Sequence, residues 1–325
     1  MGKVGLNNLN QERIVLIITV LIFIAASVGL SGFLRPANLI AIVRSISVLG
    51  ILALGMAIII IGRGIDLSMV AIMAMSTATY LQLLGLGYSD QVAFTLVILG
   101  VLAIGGLNGF LAAYADVPPI FVTLASGLFV FGYVRSQIIT ADAVGVPYGH
   151  WLDLLGQFRI ASIPVDIFIF AGLCFATFLF LRFTKWGRYV YFAGDNPVAA
   201  RIAGIPVRPM EVMRYVLSAL FSFIAGLLTA AGLQSISTRV VNSNLLYDVV
   251  LVTVIGGIGL SGGKGGVRNV LIGAVLIGIL LNAMTIVGIS FLFQNLIKAI
   301  ILLVAIIFDG VLNPRDEQTA QQGDL

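Results

Sequence analysis

The chain has 325 residues, 60% of them hydrophobic and 10% charged, and a mean hydropathy of +1.11. Soluble domains carry roughly 25% charged residues to cover a surface that faces water, so a water-soluble globular domain is excluded, and a disordered or fibrous chain with it. The one cysteine, Cys174, excludes a disulfide scaffold and the one histidine, His150, a His/Cys metal cluster, which leaves a polytopic membrane protein.

A bilayer core about 30 Å thick takes roughly 20 apolar helical residues to cross, and backbone polar groups cannot stay unpaired in lipid. On that rule the sequence predicts an all-α transmembrane helical bundle of about ten spans, at residues 14–34, 39–61, 68–86, 92–114, 119–139, 164–183, 210–233, 245–260, 267–287 and 288–308. The first apolar run is too long for a cleaved leader and reads as a span. Residues 1–13 precede the helical domain 14–308, and residues 309–325 form a tail. Residues 313–325 are polar, lack apolar periodicity and are expected to be disordered. The longest connection, residues 140–162, is expected to make a small lid or interfacial turn.

Lys and Arg of short loops stay on the cytoplasmic side. With the N-terminus inside, that side holds twelve: Lys3, Arg13, Arg63, Arg182, Lys185, Arg188, Arg201, Arg208, Arg214, Lys264, Arg268 and Arg315. The other side holds five, Arg35, Arg44, Arg135, Arg159 and Arg239, and Lys298 lies within the tenth span. Both termini are therefore expected to be cytoplasmic. The net charge of +4 follows from topology and does not point to nucleic acid.

Two motifs resemble nucleotide sites and fail on context. Gly257, Gly259 and Gly262 spell G-x-G-x-x-G, with no acidic residue about 20 positions on and apolar spans on both sides. Gly263-Lys264 has Ile258 where a P-loop needs its first glycine, and Gly265 where it needs Ser or Thr. No nucleophile, base and acid can be assembled, since His150 stands alone in a loop and is read as solvent-exposed. No cofactor, no metal site and no catalytic residue are expected, and the chain does not read as an enzyme.

Ionisable groups inside a membrane face the protein interior or a water-filled path. Asp66, preceded by Gly62 and Gly64 and followed by Ser68, marks a broken helix, with Asp66 or Ser68 either capping the next helix or serving as a gate. Lys298 needs a partner, with Asp66, Asp248 or helix-end carbonyls as candidates. Asn108, Asn282, Gln294 and Asn295 line a polar path or make interhelical hydrogen bonds, while Gly105, Gly106, Gly109, Gly273 and Gly278 permit close helix approach.

Three segments resemble the ribose-type membrane permeases of ATP-binding-cassette sugar importers. These are Gly64-Ile65-Asp66-Leu67-Ser68; Gly187-Arg188-Tyr189-Val190-Tyr191 followed by the run from Gly194, Asp195, Asn196, Pro197, Val198, Ala199, Ala200 and Arg201 to Ile202, Ala203, Gly204 and Ile205; and Val254-Ile255-Gly256-Gly257 with Leu260-Ser261-Gly262-Gly263-Lys264-Gly265, then Gln294 and Lys298. The resemblance covers nearly the whole chain. It implies import of a monosaccharide, a ribose-type pentose or related sugar, through a homo- or heterodimer of permease subunits in a bacterial cytoplasmic (inner) membrane. The implied partners are two cytoplasmic ABC ATPase subunits and an extracytoplasmic sugar-binding protein.

The resemblance also makes residues 184–209 a cytoplasmic coupling segment against the ATPase, with Asp195, Asn196, Pro197, Ala199, Ala200, Arg201 and Gly204 as its contact candidates. The residues themselves agree on a short helix, because Asn196 suits an N-cap, Pro197 the first turn and Gly204 the position past the end. Pathway or gate candidates are Asp66, Ser68, Asn108, Asp248, Asn282, Gln294 and Lys298. One departure stands out: the family usually carries Tyr-Glu-Leu-Asp ahead of the Gly-Gly of the third motif, and here Asp248 keeps the aspartate while Leu246 replaces the glutamate and Tyr247 is displaced. The alternatives are a permease for branched-chain amino acids or nucleosides of the same broad class, and an ion-coupled secondary transporter.

Overall fold

A computed structural model describes residues 11–312, and the tail read as disordered lies outside them. Thirteen helices and four short strands follow in chain order: α1 Gln11–Gly29, α2 Pro36–Ile61, α3 Met69–Gly85, α4 Asp90–Tyr114, α5 Pro119–Gln137, β1 Ala143–Gly145, α6 Trp151–Gln157, β2 Arg159–Ile160, β3 Ile163–Pro164, α7 Val165–Phe183, α8 Lys185–Asp195, α9 Pro197–Ile202, α10 Val207–Leu233, β4 Ser235–Ser237, α11 Leu245–Ile255, α12 Val267–Ile286 and α13 Phe291–Leu312. Seven are long and apolar enough to cross a membrane: α1, α2, α4, α5, α7, α10 and α12. Two further apolar helices, α3 and α11, are shorter, and α13 is apolar over Phe291–Ile307, so the molecule is a polytopic helical membrane protein. The eighth expected span stops early, because α11 ends at Ile255 with Gly256 as its C-cap, and Gly257 then turns with φ +95°.

Helix α2 is the axis. From Leu49 to Ile61 every side chain is buried, because α10, α12, α11 and α7 surround it. Helices α4 and α10 approach closely, since a Cβ on Gly105 or Gly109 would strike the α10 backbone at Val216 or Val212. Without a hydrophobic driving force between helices in lipid, such small-residue contacts carry the packing. Gly273 and Gly278 do the same against α11 and α2, whereas Gly106 meets nothing.

At one end of the bundle, the ribbon end, β1 pairs antiparallel with β4 through Ala143↔Ser237, Val144↔Ile236 and Gly145↔Ser235. Asp142 there receives the guanidinium groups of Arg135 and Arg239. Helix α6 closes this end, its Gly156 lying against the backbone of Ala231 in α10. The expected lid segment is thus a built element. His150 is not the solvated loop residue read from sequence. Its Nδ1 accepts from Leu152 N at 3.3 Å, capping α6, and its Nε2 lies 3.1 Å from Asp90 Oδ1. Tyr80 donates to the same carboxylate, and Trp151 donates to Tyr80 Oη at 3.1 Å. The other end carries α8 and α9.

Candidate functional site

The α8–α9 end is built upward from two caps. Thr184 Oγ1 accepts from Gly187 N at 2.9 Å and starts α8; Asn196 Oδ1 accepts from Ala199 N at 2.9 Å and starts α9, with Pro197 in its first turn. Gly204, at φ +79°, ends it, donating to Arg201 O while Ile205 N donates back to Ala200 O at 2.9 Å. One face of α9 is committed inward: Ala200 is buried with Ala193 and Val207. The other face is open, with Val198 exposed and Ile202 at 85% exposure. Ala200, expected among the contact residues, therefore packs inside the segment, and the free apolar side chains are Val198 and Ile202. Asp195, Ala199 and Arg201 are exposed as well. Beside them a groove of about 340 Å³ is lined by Tyr114, Arg201, Pro206, Val207, Arg208 and Pro209, with the Arg208 guanidinium 5.5 Å over the Tyr114 ring.

This segment is bonded into the bundle. Gly263 N donates to Ile61 O at 2.7 Å, Arg63 Nη2 donates to Asp195 O at 2.6 Å, and Arg63 Nε donates to Ser261 O at 2.8 Å. Tyr191 Oη donates to Gly265 O at 2.8 Å, and burial pushes its phenol above the usual range. Gly194 has to be glycine, because a Cβ would fall on the carbonyl of Ile61. The ends of α2 and α8 and the turn before α12 thus meet at one junction.

The α2–α3 loop leaves that junction and carries Asp66, which is 1% exposed. Its Oδ1 accepts from Ser68 N at 2.9 Å and Ser68 Oγ at 2.5 Å, and its Oδ2 accepts from Ser218 Oγ of α10 at 2.7 Å. Asn108 of α4 donates to Ser68 Oγ at 3.0 Å, and Leu67 N donates to Thr123 Oγ1 of α5 at 3.0 Å. Ser68 occupies the N-cap position of α3 without a side-chain cap bond. Asp66 therefore clamps the loop to α10 instead of capping α3 in the ordinary way. Beside it Arg214, counted from sequence among the cytoplasmic charges, is 3% exposed within α10 and lies 3.7 Å from Glu211. Its guanidinium fills the space that a Gly62 side chain would need. Arg214 Nε and Nη1, Tyr215 Oη and Asn108 Oδ1 are buried without hydrogen-bond partners among the described residues.

The expected gate candidates fall into separate groups. Asp66, Ser68 and Asn108 share one network. Lys298 pairs with Asp248 at 2.7 Å and not with Asp66. Asn282 and Asn38 exchange amide bonds at 2.8 and 3.1 Å, an α12–α2 cross-link, and Gln294 donates to Ile289 O at 2.9 Å within its own turn. Sequence reading missed Ser218, named Arg63 only as a cytoplasmic charge and named Gly194 only within a motif. A lone Ser in an apolar run carries no signal of its own, whereas Arg63, directly before the Gly64 to Ser68 motif, carried a positional one.

Known proteins resemble this chain over most of its length. The family model described as "Branched-chain amino acid transport system / permease component" matches residues 38–308. The ribose import permease protein RbsC of Escherichia coli K12 is 30% identical over 305 residues, covering 93% of this chain and 94% of that one. RbsC of Bacillus subtilis 168 is 32% identical over 293 residues, 89% of each chain, and the fructose import permease protein FrcC of Rhizobium meliloti is 32% identical over 304 residues, 90% of this chain and 84% of that one. No solved structure matches the chain. The chain therefore belongs to the ribose-type monosaccharide permeases of ABC importers, membrane subunits that are not themselves enzymes.

Proposed function

We propose that the chain is the translocation subunit of an importer for a monosaccharide, a ribose-type pentose or related sugar handed over by an extracytoplasmic binding protein. It sits in a bacterial inner membrane beside a second permease subunit, crosses ten times with both termini inside, and presents residues 184–209 to ABC ATPase subunits. The single observation that carries this reading is the bonded route from α9 to Asp66. An exposed apolar pair, Val198 and Ile202, stands on a helix whose neighbour is tied through Arg63 and Gly263 to the α2–α3 loop, and that loop is clamped to α4, α5 and α10. A push on α9 reaches a buried carboxylate network through hydrogen bonds at each joint.

In this mechanism Asp66, Ser68 and Asn108 form the gate and Ser218 is its counterpart on α10. The unmet groups Arg214, Tyr215 and Asn108 have partners to gain when the loop moves, which is how a buried polar cluster supports two arrangements. The test is uptake in proteoliposomes holding the chain with its ABC ATPase and binding-protein partners. ATP-dependent uptake of D-ribose or D-fructose is expected, and no uptake from an ion gradient alone. Uptake of leucine without sugar uptake, or ion-driven uptake by the chain alone, refutes the proposal.

A further inference from the structure

Helices α11 and α13 enclose a cleft of about 250 Å³ whose polar lining is Asn244, Tyr247, Asp248, Asn295 and Lys298. Its floor is the Lys298–Asp248 pair at 2.7 Å, with Lys298 8% exposed. An ammonium has three N–H donors and no acceptor, so one carboxylate bond leaves two donors for other partners. Asn295 Oδ1 is buried and accepts no hydrogen bond among the described residues. The surrounding surface of α13 is of the opposite kind, with Phe291, Leu292, Phe293, Leu296 and Ile300 exposed.

The cleft walls are mostly apolar, with Leu251, Ala299 and Leu302 beside the polar groups, but an ionisable pair between two membrane helices does not face hydrocarbon; such groups face a water-filled path or the protein interior. Its chemistry narrows the ligand. Amide and ammonium donors stand beside amide and carboxylate acceptors, which suits hydroxyl groups, since each hydroxyl both donates and accepts. Tyr247 adds an aromatic ring at the mouth, 62% exposed, against which the C–H face of a sugar ring packs. The volume is below the roughly 300–1,000 Å³ of sites for drug-sized ligands and suits one sugar ring.

We propose that the α11–α13 cleft is a sugar-hydroxyl site on the water-filled path, where Asn295 and Lys298 bond the hydroxyls of a passing monosaccharide and Asp248 holds the ammonium in position. The proposal rests on the sugar-importer reading above. Few contacts suit a site that a cargo must leave as readily as it enters.

The test uses the assembled importer carrying Cys174→Ser. Ala299→Cys, at the cleft wall, is treated with a membrane-impermeant maleimide with and without D-ribose, and Asn295→Leu is assayed for uptake. Alkylation from water, slowed several-fold by D-ribose, is expected, together with a KM for uptake raised about tenfold in Asn295→Leu at unchanged membrane level. Leu matches Asn in size and breaks no side-chain oxygen bond, so the fold is kept. If that variant is nevertheless depleted from the membrane, the alkylation result alone decides. A cysteine unreactive to the aqueous reagent in an importer that does take up D-ribose overturns the cleft and leaves the importer reading standing. Alkylation indifferent to D-ribose with a normal KM overturns the sugar site. Leucine uptake without sugar uptake in the Cys174→Ser parent defeats the importer reading and this proposal together.

Discussion

Replacing Asp66 separates a clamp from a filler. The carboxylate accepts three hydrogen bonds, from Ser68 N, Ser68 Oγ and Ser218 Oγ at 2.9, 2.5 and 2.7 Å, in a setting 1% exposed. An unmet buried donor costs about 1–3 kcal/mol. In Asp66→Ala the two hydroxyls can turn to helix carbonyls, as Ser does within helices, but the Ser68 N–H has no substitute, and a cavity remains. A loss of about 3–5 kcal/mol follows, enough to deplete the protein from the membrane. Asp66→Asn keeps an oxygen toward Ser68 and turns an amide N–H toward Ser218 Oγ, so every bond survives as a neutral one. The difference between charge-assisted and neutral bonds, about 1.4 kcal/mol over the network, alters the balance between clamped and released loop about tenfold. Membrane abundance by immunoblot and initial sugar uptake, measured in the same vesicles, are the assay. Asp66→Asn is expected at wild-type abundance with uptake reduced about tenfold. Wild-type uptake in Asp66→Asn, with failure of Asp66→Ala only through abundance, refutes the gate and leaves Asp66 a structural acceptor.

Gly194→Ala puts a methyl onto the Ile61 carbonyl, an overpacking worth about 1–3 kcal/mol, and is expected to leave ATP hydrolysis running in the assembled importer while uptake stops; tight coupling in the variant refutes the junction. Ile202→Asp alters an exposed side chain and is expected to release the ATPase without changing the permease melting temperature, whereas Ala200→Asp buries a charge and is expected to lower it by several degrees; size-exclusion co-elution and thermal melts distinguish the two. Asn282→Leu breaks the amide exchange with Asn38, and because such interhelical bonds average about 0.6 kcal/mol in membranes, uptake is expected to stay within twofold of wild type. A tenfold loss in that variant would make the amide pair part of the path.

What the sequence made legible follows the physics of the bilayer. Apolar length alone located α1, α2, α4, α5, α7, α10 and α12, because lipid forces long unbroken helices. Asn196, Pro197 and Gly204 located α9, since capping is local chemistry. Partners across the bundle were not legible. Lys298 had two acidic candidates, Asp66 and Asp248, and only the packing of α11 on α13 selects Asp248. Arg214 was counted with the cytoplasmic charges although it lies in the first turns of the predicted span 210–233, because burial of a guanidinium has no signature in composition. Asp66 stood out through Gly62, Gly64 and Ser68 around it, yet its tertiary contact Ser218 lies 152 positions away.

The β1–β4 ribbon sets a schedule for biogenesis. Its two strands lie about 90 positions apart, with α6 to α10 between them. At synthesis rates of about 5–20 residues per second, roughly 5–20 s pass between the emergence of the first strand and the second. For that interval α1 to α5 rest in the membrane with an unpaired strand edge at their end, and edges of this kind invite pairing with other chains. Arg135 and Asp142 flank the waiting strand with charge, the usual protection of an exposed edge, until Arg239 arrives to complete the cluster. Closure of this face is thus a late step of assembly, and a chain stopped before residue 235 leaves the ribbon open.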